Sequence, residues 1–475
     1  MTNGKDTDRA AQVREISEIQ AGYILKNLPG AAIYPPRPRG QDGPGPVEFI
    51  YRSRHLLTRD RDLRAVLRIL TPSPPAPPSP PSSAVPPSAA AARRPLGQGE
   101  IGAVTFPAPG LALIELTGGP DDPVDQAQML FGALETVNQR LGPVTVTPEH
   151  VAHLAPPPPP GTNCPATEPD WVPGDARPLP EISRSRCDGR GTLVIVADSG
   201  LVQDAPASHL WLHGVTGDPD LEVHEGTDIV RYGGHGTFIA SIIRAMAPRA
   251  GVRVARTFAM PGAIYEGSLV AALLPLLDLA PDVISLSAGS HTWNDSGLLS
   301  FRVFTEGPLR ECEGTVLVAA AGNDGADWKF SPADLDPVIG VGALGPPGNA
   351  RAWFSDYGDW VKVFAPGQDL VHAFARGRYA YHEARAGQVA EFSGMCRWSG
   401  TSFSTPVVSG LIAARMSGTG ESSREAAESL LRLARAQAVP GVGPVLHPGQ
   451  ACLCACERPC RERPQDCGCR PASAR

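Results

Sequence analysis

The chain has 475 residues, long enough for two or three domains, and its 51 Pro and 51 Gly mark part of that length as connecting sequence rather than core. Its formal net charge is −7, so no basic surface calls for nucleic acid and no polybasic segment calls for a membrane. No run of 18 apolar residues is present, and residues 1–20 carry no apolar signal-peptide core, so a cytoplasmic location is the expectation.

Residues 1–45 read as an N-terminal extension, a short helix over 9–25 followed by Pro/Gly-rich sequence. A small domain is expected over 46–150. Val47, Phe49 and Tyr51 alternate as on a strand, and Leu63, Val66, Leu67 and Leu70 repeat at helical spacing. Residues 71–98 form a Pro-rich insertion that cannot bury a core. Strands at 101–106 and 111–116, a helix over 124–141 capped near Asp121 or Asp122, and a short strand at 144–146 complete a β-α-β-β-α-β order. That order fits a small α+β ferredoxin-like domain. Residues 151–182, with five consecutive prolines at 156–160, read as a linker.

A larger α/β domain is expected over 183–440. Residues 192–197 form a continuous apolar run of the kind found in a buried parallel strand, and the run ends in Asp198-Ser199-Gly200. A carboxylate just past the carboxyl end of such a strand stands where open α/β sheets place their sites. Gly233-Gly234-His235-Gly236-Thr237 then leads into a helical stretch over 238–247, the glycines letting the backbone turn tightly around the imidazole. Further buried strands are expected at 252–258, 282–287, 315–320, 338–341 and 361–364, with a strongly apolar helix over 268–279. The strand at 315–320 runs into Ala321-Gly322-Asn323-Asp324-Gly325, where Asn323 offers a side-chain NH₂ and Gly322 leaves room for a substrate to approach. Alternation of buried strands with helices argues for a mostly parallel sheet flanked by helices.

Gly400-Thr401-Ser402-Phe403-Ser404-Thr405-Pro406 opens a helix of small apolar residues, which puts the Ser402 oxygen at a helix N-terminus, in a field that favours developing negative charge. Taken singly, Ser402 is an N-cap, Asp198 a loop carboxylate, His235 a turn residue and Asn323 part of an Asn-Asp-Gly turn. Taken together and in order, the four stretches resemble the subtilisin-like serine peptidases of the subtilase family, in which the chain order is also Asp, His, Ser.

The resemblance covers about residues 190–417 and implies a serine endopeptidase. Ser402 would be the nucleophile, His235 its base, and Asp198 the group that orients the imidazole; Asn323 and the Ser402 backbone N–H would hold the oxyanion. Ser287, Ala288 and Gly289, with Gly322, would line the groove in which a protein or peptide substrate binds as an added strand. Residues 377–397 depart from the family pattern as extra sequence before the nucleophile. The resemblance also implies that residues 47–150 are a pro-domain acting as intramolecular chaperone and inhibitor, with a self-cleavage site within 155–190. The alternative is an autoinhibited scaffold or regulatory protein whose peptidase domain stays silent.

After a helix expected over 421–438, the chain ends in a Cys-rich tail, 441–475. Cys452, Cys454, Cys456, Cys460, Cys467 and Cys469 could offer thiolates to zinc, although they lack the paired C-x₂-C spacing of zinc ribbons. A tail without fixed structure and disulfide pairing in an exported protein are the other readings. No cofactor is required for the chemistry; family members often bind calcium on loops, and no residue pattern here locates such a site.

Overall fold

The computed structural model describes residues 21–36, 47–71, 100–154, 167–173, 175–223, 228–258, 262–382 and 385–452. The N-terminal part builds one antiparallel sheet from β1 (Ala31–Tyr34), β2 (Phe49–Arg59), β3 (Glu100–Thr105), β4 (Leu111–Thr117) and β5 (Val146–His153), with helices α1 (Leu63–Leu70) and α2 (Pro123–Leu141). The order β5-β2-β4-β3 places the four strands of the βαββαβ unit fourth, first, third, second. Helix α2 starts where Asp122 Oδ1 accepts the Val124 N–H at 2.9 Å, with Pro123 in the first turn. Its Leu130, Phe131 and Leu134 pack on Phe49, Tyr51 and Ile114 of the sheet.

Two parts of this unit depart from the expectation. Residues 21–27 are helical and β1 pairs with β2, so part of what reads as an extension carries Ala21 and Ile24 into a cluster with Ile50, Val151 and Tyr265. The strand expected at 144–146 begins at Val146 and runs to His153, all eight residues buried. Pro148, Glu149 and His150 disguise it in the sequence; their burial comes from the large domain, whose β11 (Ala263–Tyr265) extends the sheet by pairing antiparallel with β5.

The large domain is built on parallel strands. After a short β6 (Asp170–Trp171) come β7 (Leu193–Asp198), β8 (Thr216–Gly217), β9 (Asp228–Ile229), helix α3 (His235–Met246) and β10 (Gly251–Arg256). Beyond β11 follow α4 (Glu266–Leu277), β12 (Val283–Leu286), α5 (Leu299–Glu306), β13 (Val316–Ala320), β14 (Val338–Gly345), β15 (Ala350–Arg351) and β16 (Val363–Pro366). The sheet runs β15-β14-β13-β12-β7-β10-β8, with β16 also beside β14, and its pairs are parallel except β14 with β15. The strands read as continuous apolar runs because both faces are covered. Val194, Val196 and Val254 meet α3 and α6 (Thr401–Thr419), whereas Ala197, Ile284 and Leu317 meet α4 and α5. Helix α7 (Ser423–Ala436) closes the first of these layers, started by a capping box between Ser422 and Glu425.

The extra sequence at 377–397 takes in the end of β17 (Leu370–Ala380) and nearly all of β18 (Val389–Trp398), which pair as a hairpin in a sheet of order β6-β18-β17-β9. The described part of the linker is docked on this hairpin: Asp170 and Trp171 pair with β18, and Glu168 accepts from the Tyr379 hydroxyl at 3.0 Å and the His382 N–H at 2.7 Å. At the far end the chain folds back on α6 and forms a disulfide between Cys187 and Cys452. This corrects the zinc reading for Cys452, whose sulfur is taken; Cys454, Cys456, Cys460, Cys467 and Cys469 lie outside the described residues. Among the described residues no helix is long and apolar enough to cross a membrane.

Candidate active site

Asp198 is the last residue of β7 and His235 the first of α3, and the two turns that present them are locked together. Gly234 holds φ at +80°, and a Cβ there would lie 2.7 Å from the Phe374 ring, so only glycine fits before the histidine. A Cβ on Gly236 would meet the Gly200 carbonyl at 2.5 Å. Within this packing His235 Nδ1 lies 2.8 Å from Asp198 Oδ1, with Asp198 fully buried and His235 nearly so. Because Nδ1 faces a carboxylate, it carries the proton and leaves Nε2 as the basic nitrogen.

The other ring face fixes the direction of that nitrogen. His235 packs against Trp398 and Phe403 with ring centroids 5.4 and 5.3 Å away, which sets it beside the residue that follows Ser402. Gly400 supplies the turn into α6: its N–H donates to the Gly367 carbonyl at 2.8 Å, and Gly367 itself tolerates no Cβ because the Gly400 oxygen would be 2.9 Å away. Ser402 then falls in the first turn of α6, buried, with its carbonyl oxygen accepting from the Ser287 hydroxyl at 2.8 Å.

Asn323 follows β13 and is held by its carbonyl end. Its Oδ1 accepts from the Thr401 N–H at 2.8 Å and the Thr401 hydroxyl at 2.9 Å, and the same hydroxyl accepts from the Gly322 N–H at 3.2 Å. The NH₂ end of Asn323 is thereby turned away from Thr401 and becomes the end that can donate to a substrate oxygen. Ser287, Ala288 and Gly289 continue from β12, and Gly289 pairs antiparallel with His153 through bonds of 3.0 and 3.2 Å. Leu154 donates to the Gly262 carbonyl at 2.9 Å. The end of β5 therefore lies as a strand between Gly289 and Gly262.

Asp220 was not legible as part of this site. Its Oδ2 accepts from the Ser199 hydroxyl at 3.0 Å and the Gly234 N–H at 2.8 Å, and Ser199 Oγ in turn accepts from the Gly236 N–H at 3.2 Å. One buried carboxylate thus ties the turn carrying Asp198 to the turn carrying His235. Burial raises the Asp220 carboxyl above its usual range, and burial with Asp220 alongside pushes Glu222 up to about 8. Its sequence context, Gly217-Asp218-Pro219-Asp220, reads only as a turn.

Among the described residues, one group of three could hold a metal: His291, Asp324 and Asp356, of which Asp324 follows Asn323 in the chain. The imidazole nitrogen in that set does not fit calcium, which takes oxygen ligands.

Comparison with known proteins gives a consistent picture. The chain is 34% identical over 199 residues to the thermophilic serine proteinase of Bacillus sp. (strain AK1), covering 41% of this chain and 43% of that one. It is 30% identical over 251 residues to subtilisin-like protease 2 of Pseudogymnoascus destructans, covering 50% and 55%. The chain thus spans about half the length of these relatives. It is also 27% identical over 240 residues to the intracellular serine protease of Paenibacillus polymyxa, covering 47% of this chain and 66% of that one. Among solved structures, fervidolysin from Fervidobacterium pennivorans, a keratinolytic enzyme related to subtilisin, superposes with a TM-score of 0.51 at 17% identity, covering 84% of this chain and 61% of that chain. That likeness is one of fold, and it reaches beyond the large domain. Residues 189–442, more than half of the sequence and all four loops bearing Asp198, His235, Asn323 and Ser402, match the subtilase family model, and the chain belongs to that family.

Proposed function

We propose that the protein is a serine endopeptidase that binds peptide in an extended form and cleaves it through an acyl-enzyme on Ser402. The observation that carries this reading is the His235 imidazole, bonded to Asp198 at 2.8 Å through Nδ1 and packed on Phe403, one residue past the serine. Ser402 Oγ attacks the scissile carbonyl carbon while its proton passes to His235 Nε2. The carbonyl electron pair moves to oxygen, which accepts from the Asn323 NH₂ and the Ser402 N–H. When the tetrahedral adduct collapses, the C–N bond breaks and the amine leaves with the proton from Nε2. Water then attacks the ester carbon and gives a proton to His235 Nε2; when the second adduct collapses, the C–Oγ bond breaks, Ser402 Oγ takes that proton back and the acid product leaves.

The test is intact mass after exposure to a fluorophosphonate. One adduct on the parent chain and none on Ser402→Ala is expected, with peptide hydrolysis lost in the same variant. Hydrolysis retained in Ser402→Ala would reject the assignment.

A second reading concerns the intact chain. His153 and Leu154 lie against Gly289 and Gly262 as an added strand, so the N-terminal unit occupies the edge that a substrate would use. The unit would act as a tethered inhibitor, with a self-cleavage site in 155–190 releasing it, and until release the peptidase would be silent. Cutting the linker with an unrelated protease should raise peptide hydrolysis at least tenfold; equal rates before and after the cut would remove the inhibitory role.

A further inference from the structure

Behind Asn323 the large domain buries more negative charge than it neutralises. His291 comes from the segment after β12, Asp324 from the turn after β13 and Asp356 from the connection between β15 and β16; their donor atoms all lie within 4.8 Å of one another. Asp324 and Asp356 are fully buried, and His291 is 8% exposed. These are three separate connections meeting at one point.

The protons on this cluster can be assigned from its partners. His291 Nδ1 lies 3.1 Å from the Lys329 carbonyl, which only accepts, so Nδ1 carries a proton. Nε2 lies 2.7 Å from Asp324 Oδ2, another acceptor. Some positive species must therefore stand between Nε2 and Oδ2, either a proton or a metal ion. Asp356 Oδ1 accepts from the N–H groups of Asp324 and Ala326 at 2.9 and 3.0 Å. The two remaining carboxylate oxygens, Asp324 Oδ1 and Asp356 Oδ2, are buried with no partner among the described residues. Asp356 Oδ2 is also pressed against Gly322, where a Cβ would lie 2.1 Å away.

Two protons, one on His291 and one on Asp356, would cancel the charge. In the arrangement of the structure, however, Asp356 Oδ2 and Asp324 Oδ1 have no hydrogen-bond partner among the described residues, and a buried polar atom left so costs about 1–3 kcal/mol. A divalent cation removes both orphans at once, balances the two carboxylates, and takes the lone pair of a neutral Nε2. The donor set is one imidazole and two carboxylates, with Nδ1 oriented by a backbone carbonyl, which is the ligation of zinc-class ions. We propose that His291, Asp324 and Asp356 bind a zinc-class divalent ion. Through Asp324 and the Asp356 bond to its N–H, the ion holds the 322–326 turn that presents Asn323. The link to turnover rests on the role proposed for Asn323; the binding itself does not.

The experiment is metal analysis of the full chain carrying Ser402→Ala, equilibrated with zinc and freed of excess, beside the same chain with Asp356→Asn or with His291→Gln added. The expected result is one zinc equivalent fewer in either added variant. Equal content in all three chains would place whatever zinc is bound on the Cys-rich tail and overturn the proposal. Thermal unfolding serves as the second readout, because Asp356→Asn alters a buried group. Zinc should raise the midpoint of the Ser402→Ala chain by roughly 5 °C over its chelator-treated form at saturating metal, and His291→Gln should abolish that rise. A midpoint indifferent to zinc in the parent, or a rise that survives His291→Gln, would show that protons balance the cluster. Both readouts are independent of catalysis, so a failed peptidase assay leaves them standing.

Discussion

Thr401 holds Asn323 by its carbonyl end with two hydrogen bonds, so the amide cannot turn without breaking both. Asn323→Leu keeps the volume and removes the donor. The expected loss is about 10² to 10³ in kcat, the scale recorded for the corresponding donor of subtilisin, with KM nearly unchanged. Steady-state kinetics on one peptide check it: a raised KM with kcat intact would make Asn323 a binding residue. Gly234, before His235, carries the second prediction at this scale. Gly234→Ala forces φ +80° on a residue with a Cβ and drives that Cβ to 2.7 Å from Phe374. A loss of roughly 2–4 kcal/mol of stability and a lower kcat are expected, read by denaturant unfolding and initial rates. Asp198, His235 and Asn323 stand out in the sequence as candidates because each sits in a short motif with a glycine at positive φ, Gly200, Gly234 and Gly322, and Ser402 because its motif opens a helix of small residues. Asp220 was hidden because its partners, Ser199 and Gly234, lie 21 and 14 residues away.

At the level of elements, legibility followed the number of covered faces. Strands β7, β12 and β13 are almost wholly apolar, apart from Asp198 and Ser285, because α3 and α6 cover one side and α4 and α5 the other, and such runs are visible in any single sequence. Strand β5 was expected too short, at 144–146, because Thr147, Glu149, His150 and His153 are polar, and they are buried only once the large domain supplies β11 and α4. For Cys452 the zinc reading gave way to the disulfide alternative: clustered cysteines suggest a local site, whereas its partner is 265 residues earlier. That disulfide joins the entry to β7 with the segment after α7. Closing so long a loop restricts the unfolded chain, and the typical worth of such a bond is about 2–4 kcal/mol. Cys187→Ser is expected to lower the thermal midpoint by roughly 3–8 °C in oxidising buffer and to be insensitive to added reductant. An unchanged midpoint would mean that the two segments hold each other without the bond.

Considered whole, the molecule is two units sharing one sheet edge, and the charges buried at that edge set how firmly they stay together. The His150 N–H and ring Nδ1 both meet Glu266 Oε1, at 3.0 and 2.9 Å, while Nε2 accepts from the Trp293 N–H at 3.0 Å. Glu149, one residue earlier, bonds to Arg52 at 3.1 Å and places its other oxygen at the start of α4, beside Gly267. Burial pushes Glu149 up to about 7, against the lowering by Arg52. A carboxyl whose folded pKa is raised favours the folded form when protonated. Its contribution is complete below the ordinary value near 4.5 and is lost as pH rises through 7. The loss across that window is at most about 3 kcal/mol. In the Ser402→Ala background, which keeps the chain intact, Glu149→Gln should therefore match its parent near pH 5 and unfold at a higher temperature than its parent at pH 8. The same variant should keep the two units together at pH 8, where the parent loosens, so limited proteolysis between the units should slow at least severalfold. A parent as stable as the variant at pH 8 would mean that Arg52 and the first turn of α4 sustain the charged carboxylate, and that release of the N-terminal unit depends on cutting the chain.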